Sequence, residues 1–260
     1  MPVIFFGHGS PMNAIEENEF VDGFRIISKQ IPKPKAILCV SAHWLTRGTF
    51  VTAMEYPPTI HDFGGFPKAL FEVQYPAPGA PELAKEICER VQSFPIHLDF
   101  DWGLDHGTWS VLKHTYPNAE IPVLQMSIDV NLSPDEHFRL GKELAKFREE
   151  GVLVIGSGNI VHNLGLVDWS RLRDSFAFAW AKEMNDQVKD WIQSNDFSPL
   201  IHFYEQSEIF RKGIPTPEHF LPLLYILGAK LESDQIVFFN DAPVGGALTM
   251  TSVLFTTHYA

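Results

Sequence analysis

Six short apolar runs, each closed by glycine, proline or polar residues, limit what this chain can fold into. Val3–Phe6 stops at Gly7, and Ala36–Ser41 follows Pro32 and Pro34. Pro122–Met126, Val152–Ile155, Gln235–Phe239 and Leu248–Phe255 complete the set. Unbroken apolarity over a few residues suits strands buried on both faces, and a polar face would show as alternation. Between these runs the apolar period changes to that of a helix. Pro81–Val91 places Leu83, Ala84, Ile87, Cys88 and Val91 on one helical face. Ser133-Pro134-Asp135-Glu136 reads as a capping box with proline in the first turn, and its helix can run to Glu150 and stop at Gly151. Phe176–Ile192 is a further helix. Thr216-Pro217-Glu218-His219 repeats the cap-then-proline pattern and opens Phe220–Leu227, which ends at Gly228. Strands alternating with helices predict an α/β layered fold.

The chain of 260 residues is long enough for one large domain or two small ones. It has no repeat, low-complexity segment or long linker, so a single domain over residues 1–260 is expected. The net charge of −12 is spread along the chain, and that average field repels a phosphate backbone. No nucleic-acid partner is expected. No apolar run is long enough for a membrane span. Met1–Phe6 is too short, and lacks the basic start, for a signal peptide. Cys39 and Cys88 both sit in apolar patterns and read as buried, reduced thiols, so the expected location is the cytoplasm. The stretch from Val51 to Tyr75 is rich in proline and glycine, and such a loop is more often functional than idle.

Eleven histidines occur, and position must sort them. His8 follows the first strand between Gly7 and Gly9, where the backbone can turn sharply beside a ligand. His43, in Ser41-Ala42-His43-Trp44, follows a second strand, and His162, in Gly158-Asn159-Ile160-Val161-His162-Asn163, follows a third. The carboxyl ends of strands in an open α/β sheet are where ligands bind. Neutral imidazole is a common metal ligand, so strand-end histidines favour a shared metal site. Each taken alone reads equally as a satisfied polar group. His219, in the first turn of a predicted helix, reads by itself as an exposed residue. His106, in Asp105-His106-Gly107-Thr108-Trp109, suggests a tight polar loop and an acid, base or substrate donor. His61 lies on the long loop and reads as part of a lid; His97, His114, His137, His202 and His258 read as structural or solvated. Gly156-Ser157-Gly158 lacks the third glycine of a dinucleotide fingerprint, and Ser157 lacks the flanking residues of a nucleophile elbow. No local zinc motif is present, so the fold must assemble any site.

These segments, with Thr59-Ile60-His61-Asp62-Phe63-Gly64-Gly65-Phe66-Pro67 and Pro215-Thr216-Pro217-Glu218-His219-Phe220, resemble the 4,5-DOPA extradiol dioxygenase family. This is a branch of the class III extradiol ring-cleaving dioxygenases, related to the catalytic subunit of protocatechuate 4,5-dioxygenase. The match runs in order over almost the whole chain. The resemblance implies one α/β domain with a central mixed sheet flanked by helices. It implies cleavage of a catechol such as DOPA with O2, giving a semialdehyde product. By position, His8, His43 and His219 match metal ligands. His162 matches a histidine beside the metal, acting as base or as a fourth ligand, and His106 matches a pocket histidine near the substrate. The implied partners are a small aromatic diol and O2. Fe(II) is the metal implied for activity; the all-histidine donor set also suits Zn(II), where wider class III enzymes have two histidines and a carboxylate. A zinc-dependent hydrolase or lyase, or a noncatalytic metal-pocket protein, is the alternative on the same fold. Phe63–Pro67 is expected to close over the ring, with Phe63, Phe66, Trp44 and Trp109 as an aromatic wall or as core packing.

Overall fold

Phe5 and Phe6 are adjacent in sequence yet enter different cores, because side chains alternate across a strand. The same division runs through Leu38 and Val40 against Ile37 and Cys39, and through Val152 and Val154 against Leu153 and Ile155. The central apolar runs are therefore strands of one sheet covered on both faces. The computed structural model of the chain describes residues 1–257; His258 lies outside them.

The strands are β1 (Val3–Gly7), β2 (Ala36–Thr46), β3 (Thr49–Thr52), β4 (Ile96–Asp99), β5 (Val123–Asp129), β6 (Val152–Gly158), β7 (Gln235–Phe239), β8 (Pro243–Val244), β9 (Leu248–Thr249) and β10 (Ser252–Thr256). The main sheet has the order β4-β3-β5-β2-β6-β1-β10-β7, and β8 pairs with β9 apart from it. The four central strands β5, β2, β6 and β1 are parallel, while β10 and β7 add antiparallel pairs at one side, so the sheet is mixed. The helices are α1 (Glu19–Lys29), α2 (Lys68–Phe71), α3 (Pro81–Arg90), α4 (His106–Thr115), α5 (Pro134–Leu144), α6 (Ala179–Gln193), α7 (Ser198–Ile201), α8 (Glu208–Gly213) and α9 (Leu221–Ala229). One face of the sheet packs on α3, α5, α6 and α9, and the other on α1 and α4. Among the described residues no helix is long and apolar enough to cross a membrane.

Strands β1, β2, β5 and β6 outrun their apolar cores at the carboxyl end, because ladder pairing does not depend on apolar side chains. Ser41 still pairs with Ser157, and Gly7 with Gly158. This extension carries β2 through His43, which lies inside the strand and not beyond it. It falls where the register to β5 shifts between Val40 and Leu45, the kind of irregularity that re-aims a side chain next to a site. The predicted strand Leu248–Phe255 is divided into β9 and β10. The α5 capping box forms as expected, but the helix gives way to a 3-10 turn over Ala145–Glu150 before Gly151, whose φ of 95° only glycine adopts freely. The helix expected from Phe176 begins at Ala179, since Ala177 bridges Gly246 and the Phe178 amide donates to the Gly246 carbonyl. The Thr216-Pro217 cap does not form. Thr216 gives its hydroxyl proton to Glu218, and α9 starts beyond the turn, after Phe220.

Candidate metal centre

The parallel strands β1, β2 and β6 end on one edge of the sheet, and that edge gathers all five histidines expected there. His8 follows β1, with its amide donating to the Gly158 carbonyl at 3.0 Å. His43 projects from the irregular part of β2. His106 is the first residue of α4, not a loop residue. Asp105 caps that helix by accepting from the Thr108 amide, and so places His106 at the helix start. His219 lies in the turn before α9, not in a first helical turn; the Asn159 amide, just beyond β6, ties that turn down by donating to the His219 carbonyl at 2.9 Å. The contact is so close that a Cβ on Gly158 would lie 2.1 Å from the His219 carbonyl oxygen. His162 follows β6, with its amide on the Gly213 carbonyl.

Hydrogen bonds fix which ring nitrogens remain free. Ser157 Oγ lies 2.5 Å from the Gly107 carbonyl and must donate to it. It is then left to accept from His8 Nδ1–H, at 2.9 Å. The neutral His8 ring therefore carries a bare Nε2. His43 Nε2 faces it at 3.2 Å, while His43 Nδ1 lies 3.7 Å from an Asp62 carboxylate oxygen. A proton on the Asp62 side leaves His43 Nε2 bare as well. With His43 in that tautomer the two lone pairs face each other and repel unless a cation lies between them, so this donor pair fits a metal. His219 Nδ1–H points at Glu218 at 3.4 Å, which leaves its Nε2 free, and its ring centre is 5.3 Å from that of His8 and 4.9 Å from that of His43.

Burial favours neutral imidazole at His8, His43, His162 and His219. It pushes His8 and His43 well below the ordinary histidine range, and the neighbouring histidines add to this. His162 is lowered to about 3, first by burial and then by His219. Burial also lowers His219, against the pull of Glu218. Burial alone would raise Glu218; its bonds from His219, Thr216 and its own backbone outweigh that and hold it at about 2. The His162 and His219 rings stack with centres 3.5 Å apart and planes 5° off parallel, an arrangement suited to two neutral rings and not to two imidazolium ions.

Ligand atoms form two triads: His8, His43 and His106, and His162, Glu218 and His219, each within 4.8 Å among themselves. Asp62 shapes the first. It accepts from the His106 amide and from His106 Nδ1–H, both at 2.9 Å, so His106 presents Nε2 toward the His43 ring, 3.9 Å away between centres. Neither Asp62 nor Ser157 was given a role at the site from the sequence. An acid next to His61 was a possible signal for the first; Ser157 offers none. Beneath the site Asp105 is wholly buried, accepts from Ser41 at 2.7 Å, and is pushed up to about 6 by burial and by Asp62.

Other expected residues serve the scaffold. His61 donates Nε2–H to the Val73 carbonyl and packs on Phe63, Phe71 and Trp109. Trp109 is fully buried with its indole N–H on the Ile60 carbonyl, and Trp44 stacks on Trp102, so both pack the core. Phe63 lies edge-on to His106 and against Phe66, forming the wall on that side. Cys39 is buried and Cys88 half-buried, and both are free thiols.

A family profile described as the catalytic LigB subunit of aromatic ring-opening dioxygenase matches residues 2–244. The chain belongs to this family, whose dioxygenases are non-haem metal-dependent, and its activity class is extradiol ring cleavage. It is 46% identical over 97% of its length to a 4,5-DOPA dioxygenase extradiol from Escherichia coli (strain K12), covering 94% of that protein. It is 35% identical over 97% of its length to a protein of the same name from Beta vulgaris, covering 96% of it. A crystal structure of an uncharacterized Escherichia coli K12 protein superposes with a TM-score of 0.86 at 40% identity, covering 98% of this chain and 100% of that one.

Proposed function

We propose that this chain opens the ring of a catechol such as DOPA beside its diol, with His8, His43 and His219 holding the metal and His162 and His106 handling protons. The observation that carries this reading is the approach of His8 Nε2 to His43 Nε2 at 3.2 Å, with His8 buried and His43 partly so. When bound, the metal supplies a centre that acidifies the diol and passes electrons from it to O2. Fe(II) serves that chemistry, and the same nitrogen donors accept Zn(II). His162, neutral and stacked on His219, takes a proton from one catechol hydroxyl, its neutral ring leaving a nitrogen free to accept it. His106, backed by Asp62, gives or takes the second proton at Nε2 as the ring opens. Both atoms of O2 end in the product, a semialdehyde acid. Phe63 and Phe66 cover the site, and Phe63–Pro67 closing over the ring would exclude water. The names of the relatives support DOPA as the substrate to try first. The pair of free thiols supports a cytoplasmic setting.

The test is anaerobic loading with Fe(II), addition of DOPA and admission of oxygen. One O2 consumed per catechol, with a product absorbing in the near-visible, is expected. No turnover across a panel of catechols, with Zn(II) tightly retained, would replace this reading by a zinc enzyme on the same scaffold. His162→Ala is expected to keep most metal and lose turnover; loss of the metal would make His162 a ligand.

A further inference from the structure

Away from the candidate metal centre, a cavity of 680 Å³ opens beside α1 and α4, bounded partly by Ala14 at the end of the 3-10 turn Pro11–Ala14 that follows His8. Its charged lining is mainly cationic: Arg25, Lys29, Lys33 and Lys113, against Glu17 and Glu120. The two carboxylates are already engaged, Glu17 by Arg25 at 2.5 Å and Glu120 by Lys33 at 2.6 Å. Lys29 and Lys113 have no ion-pair partner among the described residues. A cationic recess on a chain of net charge −12 runs against the average field, and it attracts anions locally.

The turn forming one wall is bonded on both sides. On the cavity side Lys113 donates to the Ala14 carbonyl at 2.9 Å, and His114 Nε2–H donates to the Asn13 carbonyl at 2.7 Å. On the other side the Asn13 amide group donates to the His8 carbonyl at 3.0 Å. An anion that draws Lys113 toward itself competes with the Ala14 carbonyl, and the strain reaches the backbone of His8 through a single residue.

We propose that this cavity binds a small anion carrying two or more negative charges, an oxyanion or a dicarboxylate, and that its occupancy changes the affinity of the His8 site for metal. The coupling rests on His8 being a ligand; the binding does not. Sulfate, and separately succinate, is titrated calorimetrically into the metal-loaded protein at constant ionic strength, which removes nonspecific screening. At least one should bind saturably, which also tells the oxyanion from the dicarboxylate. Lys29→Glu, at an exposed position that leaves the fold intact, should weaken binding about tenfold or more, and Lys113→Met should do the same. Failure of both probes to saturate, or wild-type affinity in Lys29→Glu, overturns the site. Zn(II) affinity is then measured against a chromophoric chelator with and without the bound anion. A shift of about fivefold or more is expected, by the reciprocity of linked binding. Unchanged Zn(II) affinity overturns the coupling, and absence of Zn(II) binding without any anion overturns the metal reading while leaving the cavity standing.

Discussion

His137 and His8 are both buried, both lowered in pKa by that burial, and both bonded through Nδ1, yet one sits in the scaffold and the other in the candidate metal centre. His137 Nδ1 meets the Tyr225 hydroxyl at 2.8 Å, and its Nε2 faces no partner among the described residues. His8 Nδ1 meets Ser157, and its Nε2 faces His43 Nε2. The difference is convergence. Burial makes any imidazole neutral; only several neutral imidazoles aimed at one point make a donor set. His114, on the Asn13 carbonyl, belongs with His137.

The sharpest way to break this contrast is to remove one histidine from each group. His43→Ala is expected to lower Fe(II) affinity and turnover by more than about a hundredfold, beyond the usual effect of losing a group behind a ligand. His137→Phe should leave both within about threefold in the same metal titration, because its side-chain bond is to Tyr225 of α9 and not to the site histidines. Equal losses in the two variants would erase the distinction. Next in size is Asp62→Asn, which cannot hold His106 through both bonds as a carboxylate does. kcat/KM should fall about 10- to 100-fold with the melting temperature nearly unchanged. A normal pH profile and normal kcat/KM would remove Asp62 from the site.

The scaffold histidine makes its own prediction in acid. The folded-state pKa of His137 is near 4, below the unfolded value of 6.5, so between them the unfolded state binds more protons. Stability from this group is complete above pH 6.5 and is lost as pH falls toward 4. The ceiling is about 3 kcal/mol. Denaturant melts at fixed pH should show a slope to which His8, His43, His162 and His219 also contribute in the metal-free protein, and His137→Phe should reduce it by the share of one histidine. Gly158→Ala comes last. Its methyl would push on the His219 carbonyl and should destabilise by about 1–3 kcal/mol, with weaker metal binding. Gly64→Ala, with nothing within 4 Å of the added methyl, should do neither.

Much of this was legible in the chain. The central strands announced themselves because burial on both faces leaves unbroken apolar runs. His8 and His162 stood out by following such runs and their glycines. α4 was legible only as a helical pattern around His114, since nearly all its residues are buried and no polar face marks its bounds. α1 is masked by Gly23 in its interior, kept small by contact with Asn240. The place of His219 was hidden because a backbone bond from Asn159 seats it, and backbone bonds leave no mark in side-chain pattern. Asp62 was hidden because an irregular loop has no period to place it. The family resemblance supplied His219; it did not supply the Asp62 clamp or the Ser157 bond that sets the His8 tautomer.

In the proposed site His8, His43 and His219 converge on one metal through Nε2, with His106 held outside the ligand set by Asp62. A crystal of the Fe(II)-loaded protein, with anomalous scattering collected at the iron edge, tests it most directly. One anomalous peak bonded to His8, His43 and His219 Nε2, with His106 still on Asp62, is the predicted result. A peak bonded to His106 in place of His219, or seated between His162 and Glu218, would contradict it.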